Sequence, residues 1–361
     1  WILLFLVCTL HFGMGALLGL SVDEAHYALY AVHLDWSYFD HPPLVGWAQW
    51  PLVALDASAW AMRLVPELVW LATALLAYRL AERLNASARP TGPTGRSGLW
   101  AVVALALAPL LHVLGIGLLP DTLLMFFSVA LLGLTWDLMD AGAVRRPLPW
   151  VALGVVLGLA GLSKYTAILA AAAVALCLML AHGVAVLRNV WLWMAVGIAL
   201  LMVIPVAYWN ERNHWISFVY QARHGAGGGW QVTHLARFLV VQALAYGPLL
   251  LWGWAGFRQA MGARPRVLSL FFVVPFVVLA ALSGGGTSLP HWFAPAWAAL
   301  APFAGVGLAH AVQHGRRWVI WGLVAAQGLV CAAVLGLMLT GGVPVFTATT
   351  GQGNSAAPSN P

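Results

Sequence analysis

Charge is what this chain lacks. Only 8% of its 361 residues are Asp, Glu, Lys or Arg, and 62% are apolar. Soluble domains carry roughly 25% charged residues, so an ordinary soluble fold is excluded. Lysine is nearly absent: of seventeen basic residues only Lys164 is not Arg. Apolar–polar alternation at period two is also missing, which argues against an outer-membrane barrel. Cysteine is scarce. Cys8, Cys177 and Cys331 each fall inside an apolar run, giving neither a disulfide framework nor a metal spacing, and read as buried thiols. There is no nucleotide-phosphate loop, HExxH pair, CxxC or nucleophile elbow. The net charge of +6 does not point to nucleic acid, because most arginines cap the ends of apolar runs.

What is present is apolar length. Mean hydropathy is +0.87, and spans of about 20 apolar residues recur, the mark of a polytopic α-helical membrane protein. Spans are expected at about 1–20, 60–84, 98–117, 121–139, 149–163, 165–184, 190–209, 236–256, 267–283, 292–311 and 317–340. This makes one all-α membrane domain over 1–340, with about eleven transmembrane helices and a large first outer loop at 21–59. The first run could pass for a signal peptide, but it is long and lacks an A-x-A site. The chain begins at Trp1 without an initiator Met, so a preceding segment is expected. Residues 341–361 are polar and rich in Gly, Pro and Ser, and are expected to be disordered.

The arginines orient the spans. Arg79, Arg83, Arg89, Arg96, Arg145, Arg146, Arg188, Arg258, Arg264, Arg266, Arg316 and Arg317 all fall on one side if the spans alternate. By the positive-inside rule that side is cytoplasmic. The opposite side then carries 21–59, 118–121, the region of Lys164, 210–235 and 284–291.

The acids gather on that opposite side. Four of eleven carboxylates lie within the 27 residues SVDEAHYALYAVHLDWSYFDHPPLVGW, from Ser21 to Trp47. Ser21 reads as a helix N-cap with Glu24 in the first turn. Asp23 is either a second capping group or, backed by Tyr27, His26 and Tyr30 on one helix face, a general base for a hydroxyl proton. In YFDHPP the prolines fix an extended turn that holds Asp40 and His41 rigidly. Asp40 reads as a turn cap or a metal ligand, and His41 as a ligand or phosphate partner. Asp121 follows Pro120 at a helix start and is either a first-turn acid or part of the site. Lys164 either snorkels or meets a lipid phosphate. Arg223 and His224 precede a glycine run, read as a loop that is mobile or approaches a ligand closely. His291 opens the tenth span behind a second glycine run. Asp35 has no evident role beyond a solvated turn.

DEAHYALY, YFDHPPLVGW, LPDTLLMFF, GLSKYTA and LPHWFAPAW, in that order, resemble the bacterial family 39 glycosyltransferases. These are GT-C enzymes related to protein O-mannosyltransferases and to the aminoarabinose transferase of lipid A. The resemblance runs from residue 1 to about 311. It implies a GT-C bundle in the bacterial inner membrane. It also implies inverting transfer of a sugar from a polyprenyl-phosphate donor to a lipid, glycan or protein acceptor at the periplasmic face. No nucleotide cofactor is expected. Asp23 matches the family's catalytic aspartate, Glu24 is its usual neighbour, and Asp121 matches an acid of the second outer loop. Asp40 and His291, with Gln221 or His224, match positions that could hold a divalent metal (Zn, Mg or Mn). His41 departs from the lysine found there, so Lys164 and Arg223 are expected to supplement it at the donor phosphate. The competing class is a transporter or lipid flippase, which would place ionisable residues near the bilayer midplane and show internal repeats.

Overall fold

In a computed structural model, residues 1–88, 96–259, 266–286 and 288–340 are described, and among them every regular element is helical. The expectation for the 341–361 tail, and the placement of Arg89 and Arg264, lie outside them. The helices are α1 (Ile2–Leu17), α2 (Val22–Val32), α3 (Leu44–Ala54), α4 (Ala59–Met62), α5 (Leu64–Ala88), α6 (Ser97–Ala106), α7 (Pro109–Ile116), α8 (Pro120–Leu138), α9 (Pro147–Ser163), α10 (Ala167–His182), α11 (Val190–Arg212), α12 (Ile216–Ala226), α13 (Val232–Tyr246), α14 (Pro248–Leu251), α15 (Gly253–Gln259), α16 (Leu270–Ser283), α17 (Ala294–Ala311) and α18 (Arg317–Leu339). Among the described residues five helices are long and apolar enough to cross a membrane, or up to eight if each of three bent pairs is one span. The chain is a multi-pass membrane protein. α17 is buried along nearly its whole length and packs against α5, α6, α8 and α15.

Two expected spans are broken rather than straight. The run 98–117 bends by 79° between α6 and α7, and the run containing 236–256 bends by 98° between α13 and α14. Each second helix starts on a proline, Pro109 or Pro248. Proline supplies no N–H to the preceding turn and clashes with it. In an apolar surround the freed backbone groups must find partners. Gln327 of α18 provides them for both bends. Its Nε2 donates to Leu107 O at 2.8 Å and Tyr246 O at 3.0 Å, and its Oε1 accepts from Leu249 N at 3.2 Å. Cys331, one turn on, donates its thiol to Leu107 O. Of the three thiols, Cys177 and Cys331 are buried as expected, while Cys8 is only partly so.

The first outer segment is mostly helical. α1 stops at Leu17, and the chain turns by 86° into α2. Ser21 and Glu24 form the N-terminal capping box, so the expected cap is Ser21 and not Asp23. Three contacts pin this segment to the bundle. Trp209 Nε1 donates to Asp35 Oδ2 at 2.7 Å, Ser217 Oγ to Tyr38 O at 2.9 Å, and the Gln221 amide to Asp40 O. Asp35, which had no evident role, is thereby a strut to α11.

Candidate active site

Helical geometry separates Asp23 from Glu24. Neighbours on a helix point about 100° apart, and here they meet different surroundings. Glu24 is buried and receives Arg63 twice, Nε to Oε1 at 2.9 Å and Nη2 to Oε2 at 3.0 Å. Arg63 also donates to Gly15 O, Leu18 O and Gly19 O at 2.5–2.8 Å, closing the end of α1. Glu24, read as catalytic, is thus fully engaged in holding the α1–α2 corner. Asp23 is partly exposed, and among the described residues it makes no hydrogen bond or ion pair. It lines a cavity of about 530 Å³ whose other walls are apolar side chains of α7, α13 and α18, with Ser21 and His291 beside it.

Asp40 sits in a nest of donors. The Tyr30 hydroxyl donates to Oδ1, His26 Nε2 lies 3.3 Å from Oδ2, and His41 Nδ1 lies 3.1 Å from Oδ2 but off the hydrogen-bonding direction. Burial alone would raise this carboxyl's pKa. The neighbouring His41, the Tyr30 hydroxyl and His26 outweigh burial and hold it well below the ordinary carboxylate range. Asp40 is therefore an anion at any neutral pH.

Lys164 and Asp121 find each other. The ammonium donates to both Asp121 oxygens, at 2.7 and 2.6 Å, and both side chains are buried. His291 Nε2 lies 3.7 Å from the same carboxylate, and the ammonium sits 5.5 Å over the Trp292 ring. Lys164, read as a phosphate binder, is neutralised by the acid read as catalytic. A buried pair loses about 3–5 kcal/mol when one member is removed, mostly because the other is stranded. Lys164→Gln is therefore expected to lower the melting temperature in detergent more than Lys164→Gln combined with Asp121→Asn. Equal losses would show that the pair is not coupled.

Arg223 and His224 are not in a loop as expected. They lie on α12, whose helix runs into the glycine run. His224 stacks on Tyr220 at 5.3 Å and meets Trp292 at 5.5 Å. Arg223 is exposed and, among the described residues, has no ion-pair partner. The two glycine runs clasp each other. Gly228 N and Gln231 N donate to Gly285 O and Gly284 O, both at 2.9 Å. Gly227 has φ +61, and a Cβ there would sit 2.5 Å from Gly285 O, so only glycine fits.

The expected metal ligands do not form a set. Gln221 spends its amide on the Asp40 carbonyl, His224 is stacked between rings, and His291 faces Asp121. Among the described residues no group of three or more His, Cys, Asp or Glu could hold a metal ion. As placed here, Asp40, Gln221, His224 and His291 do not make a cation-binding donor set.

The structure also shows groups that sequence reasoning missed. Besides Arg63, a buried polar chain links α1, α5 and α7. Glu67 Oε2 lies 2.5 Å from His11 Nδ1, His11 Nε2 lies 2.7 Å from His112 Nδ1, and His112 Nε2 lies 2.6 Å from Ala106 O. The carbonyl can only accept, so His112 donates from Nε2 and, as a neutral ring, accepts at Nδ1 from His11 Nε2. The available signal was an ionisable residue stranded inside each of three apolar runs.

The described residues of segments 21–59, 118–121, Lys164, 210–235 and 284–291 thus meet at one end of the bundle. Comparison with known proteins agrees with the motifs. Residues 40–209 match the family described as dolichyl-phosphate-mannose-protein mannosyltransferase. The chain is 27% identical over 273 residues to the lipid A galacturonosyltransferase RgtD of Rhizobium johnstonii, a match covering 72% of this chain and 54% of that protein. Its fold is similar to that of ArnT from Cupriavidus metallidurans. The TM-score is 0.67 at 21% identity in the apo state, over 92% of this chain and 64% of that one. It is 0.66 at 20% identity for ArnT bound to undecaprenyl phosphate, over 94% and 70%. The oligosaccharyltransferase of Archaeoglobus fulgidus is more distant, with a TM-score of 0.52 at 14% identity, over 99% and 61%. The chain spans about half the length of the curated relative it matches.

Proposed function

We propose that this membrane protein of the GT-C fold is an inverting glycosyltransferase that moves a sugar from a polyprenyl-phosphate donor to an acceptor hydroxyl at the outer face. One observation carries the reading. An apolar cavity of about 530 Å³ ends at Asp23, a carboxylate free of any hydrogen bond or ion pair among the described residues. An apolar cavity suits an isoprenoid or acyl chain, and a free carboxylate at its end can accept a proton. The relatives support this chemistry: RgtD is a galacturonosyltransferase of lipid A, and ArnT binds undecaprenyl phosphate. A second apolar cavity of about 440 Å³, between α9, α10 and α11, reaches Lys164 and Tyr165 from another direction. Two lipids can therefore approach one polar centre.

In the transfer, the acceptor oxygen attacks the anomeric carbon while Asp23 takes its proton. The carbon–oxygen bond to the polyprenyl phosphate breaks, and the phosphate leaves with the electron pair. Arg223 and His41 are the residues assigned to meet that charge in this reading. Lys164 contributes less, because Asp121 already balances it. In this reading Glu24 and Asp121 support the site by holding Arg63 and Lys164. Seven of the eleven acids lie in the segments at that end, which weighs against the transporter reading.

Purified protein in vesicles, given labelled polyprenyl-phosphate sugars, is expected to release free polyprenyl phosphate when an acceptor lipid is present. Movement of intact donor between leaflets with no release would refute transfer and leave a flippase.

A further inference from the structure

Beside the apolar cavity lies a smaller one of a different kind. It has a volume of about 280 Å³ and is lined by His234, Arg237, Gly286 and Ser288, among others. It shares Val241, Leu289 and Pro290 with the larger cavity as a common wall. None of its polar residues belongs to the site described above.

Its chemistry is that of an anion site. Arg237 stands one turn after His234 on α13. Among the described residues the Arg237 guanidinium has no acidic partner, whereas Arg63, Arg83 and Lys164 each have one. His234 Nδ1 lies 3.1 Å from Gly284 O, which can only accept, so Nε2 of the neutral ring is left as an acceptor, able to take a hydrogen bond from a monoprotonated phosphate. Ser288 Oγ is shielded from solvent and, among the described residues, has no hydrogen-bond partner. An orphaned hydroxyl costs free energy unless something fills the gap, and the guanidinium on the same cavity is free to take an anion. A phosphate group offers acceptors to the guanidinium and, once the Ser288 side chain turns toward the cavity, to its hydroxyl.

The surroundings point to a lipid as the carrier of that phosphate. On the same helix Val240 and Leu244, three and seven positions after Arg237 and so on its face, are exposed, which makes this flank of α13 a surface for acyl chains. We infer that the His234–Arg237–Ser288 pocket binds the phosphate head group of a second membrane lipid, distinct from the donor. The donor phosphate must leave beside Asp23 and the Asp40–His41 corner, on the other side of the Leu289–Pro290 wall. A second anion site therefore serves a second lipid, and that lipid is the acceptor. Its role as acceptor rests on the transfer proposed above, whereas the anion site does not.

The test uses the full chain in detergent, with phosphatidic acid and phosphatidylcholine supplied in equal amounts and retained lipid counted by native mass spectrometry. Phosphatidic acid is expected to be retained preferentially. Arg237→Gln should lower that retention at least about tenfold, the loss expected for a charge-assisted hydrogen bond. Arg237→Lys should restore part of it, and Arg258→Gln, at the opposite end of the bundle, should not alter it. Saturating undecaprenyl phosphate should leave it in place. Undiminished retention in Arg237→Gln would overturn the site. Displacement by undecaprenyl phosphate would overturn the second lipid, and displacement by millimolar inorganic phosphate would replace the lipid with a small anion. The two readings fail separately. Arg237-dependent retention without any sugar transfer would sink only the glycosyltransferase. Transfer lost in Asp23→Asn, with retention indifferent to Arg237, would sink only this pocket.

Discussion

Asp23→Asn is expected to lower sugar transfer by about 100- to 10,000-fold, the usual contribution of a positioned general base. The substitution keeps size and polarity and removes only the ability to take a proton. Because Asp23 has no partner among the described residues, nothing in the fold depends on its charge. Thermal stability and donor binding should therefore be unchanged, and the loss should fall on kcat rather than on KM. Glu24→Gln is the matched comparison one residue away. It weakens a buried ion pair, so its main effect should be on stability. Initial rates and melting curves for both variants separate the roles. If Asp23→Asn retained near-normal rates, another group would have to be the base.

Arg63→Ala is expected to cost about 3–5 kcal/mol of stability, because it strands a buried carboxylate. It would also free the carbonyls of Gly15, Leu18 and Gly19 at the α1–α2 corner. The corner carries Asp23, so any folded fraction should also be slow. Lysine should rescue poorly, because a single ammonium cannot reproduce the guanidinium fork between a carboxylate and three carbonyls. Adding Glu24→Gln to Arg63→Ala should recover part of the loss by removing the stranded charge. Size-exclusion profiles after a heating series would report each step. Unaltered profiles for Arg63→Ala would refute the corner as a structural lock.

The sequence made the helices legible because apolar length is a direct consequence of the bilayer's thickness. It also made one end of the bundle legible, because arginines cluster at the other. The breaks were less visible. Pro109 and Pro248 lie inside apolar runs, and hydropathy does not register a bend of 79° or 98°. Partnerships were not visible at all. Lys164 and Asp121 lie 43 positions apart, and Arg63 and Glu24 lie 39 apart. Reading each ion alone made Lys164 a phosphate binder and Glu24 a catalyst, where packing turns both into halves of pairs. Asp23 stands apart from these pairs, with no hydrogen-bond or ion-pair partner among the described residues. The clasp between the two glycine runs was hidden because neither run shows by composition that the other sits against it.

Gln327 has a further consequence. Its amide joins the bend at Leu107 to the bend at Tyr246 and Leu249, and α18 itself contributes Val330 and Val334 to the cavity that ends at Asp23. The three walls of that cavity are thus riveted at one point. Spreading them would expose amide and carbonyl groups to hydrocarbon, so the bore behaves as a fixed gauge. A bore of fixed width limits the thickness of what enters it and not its length.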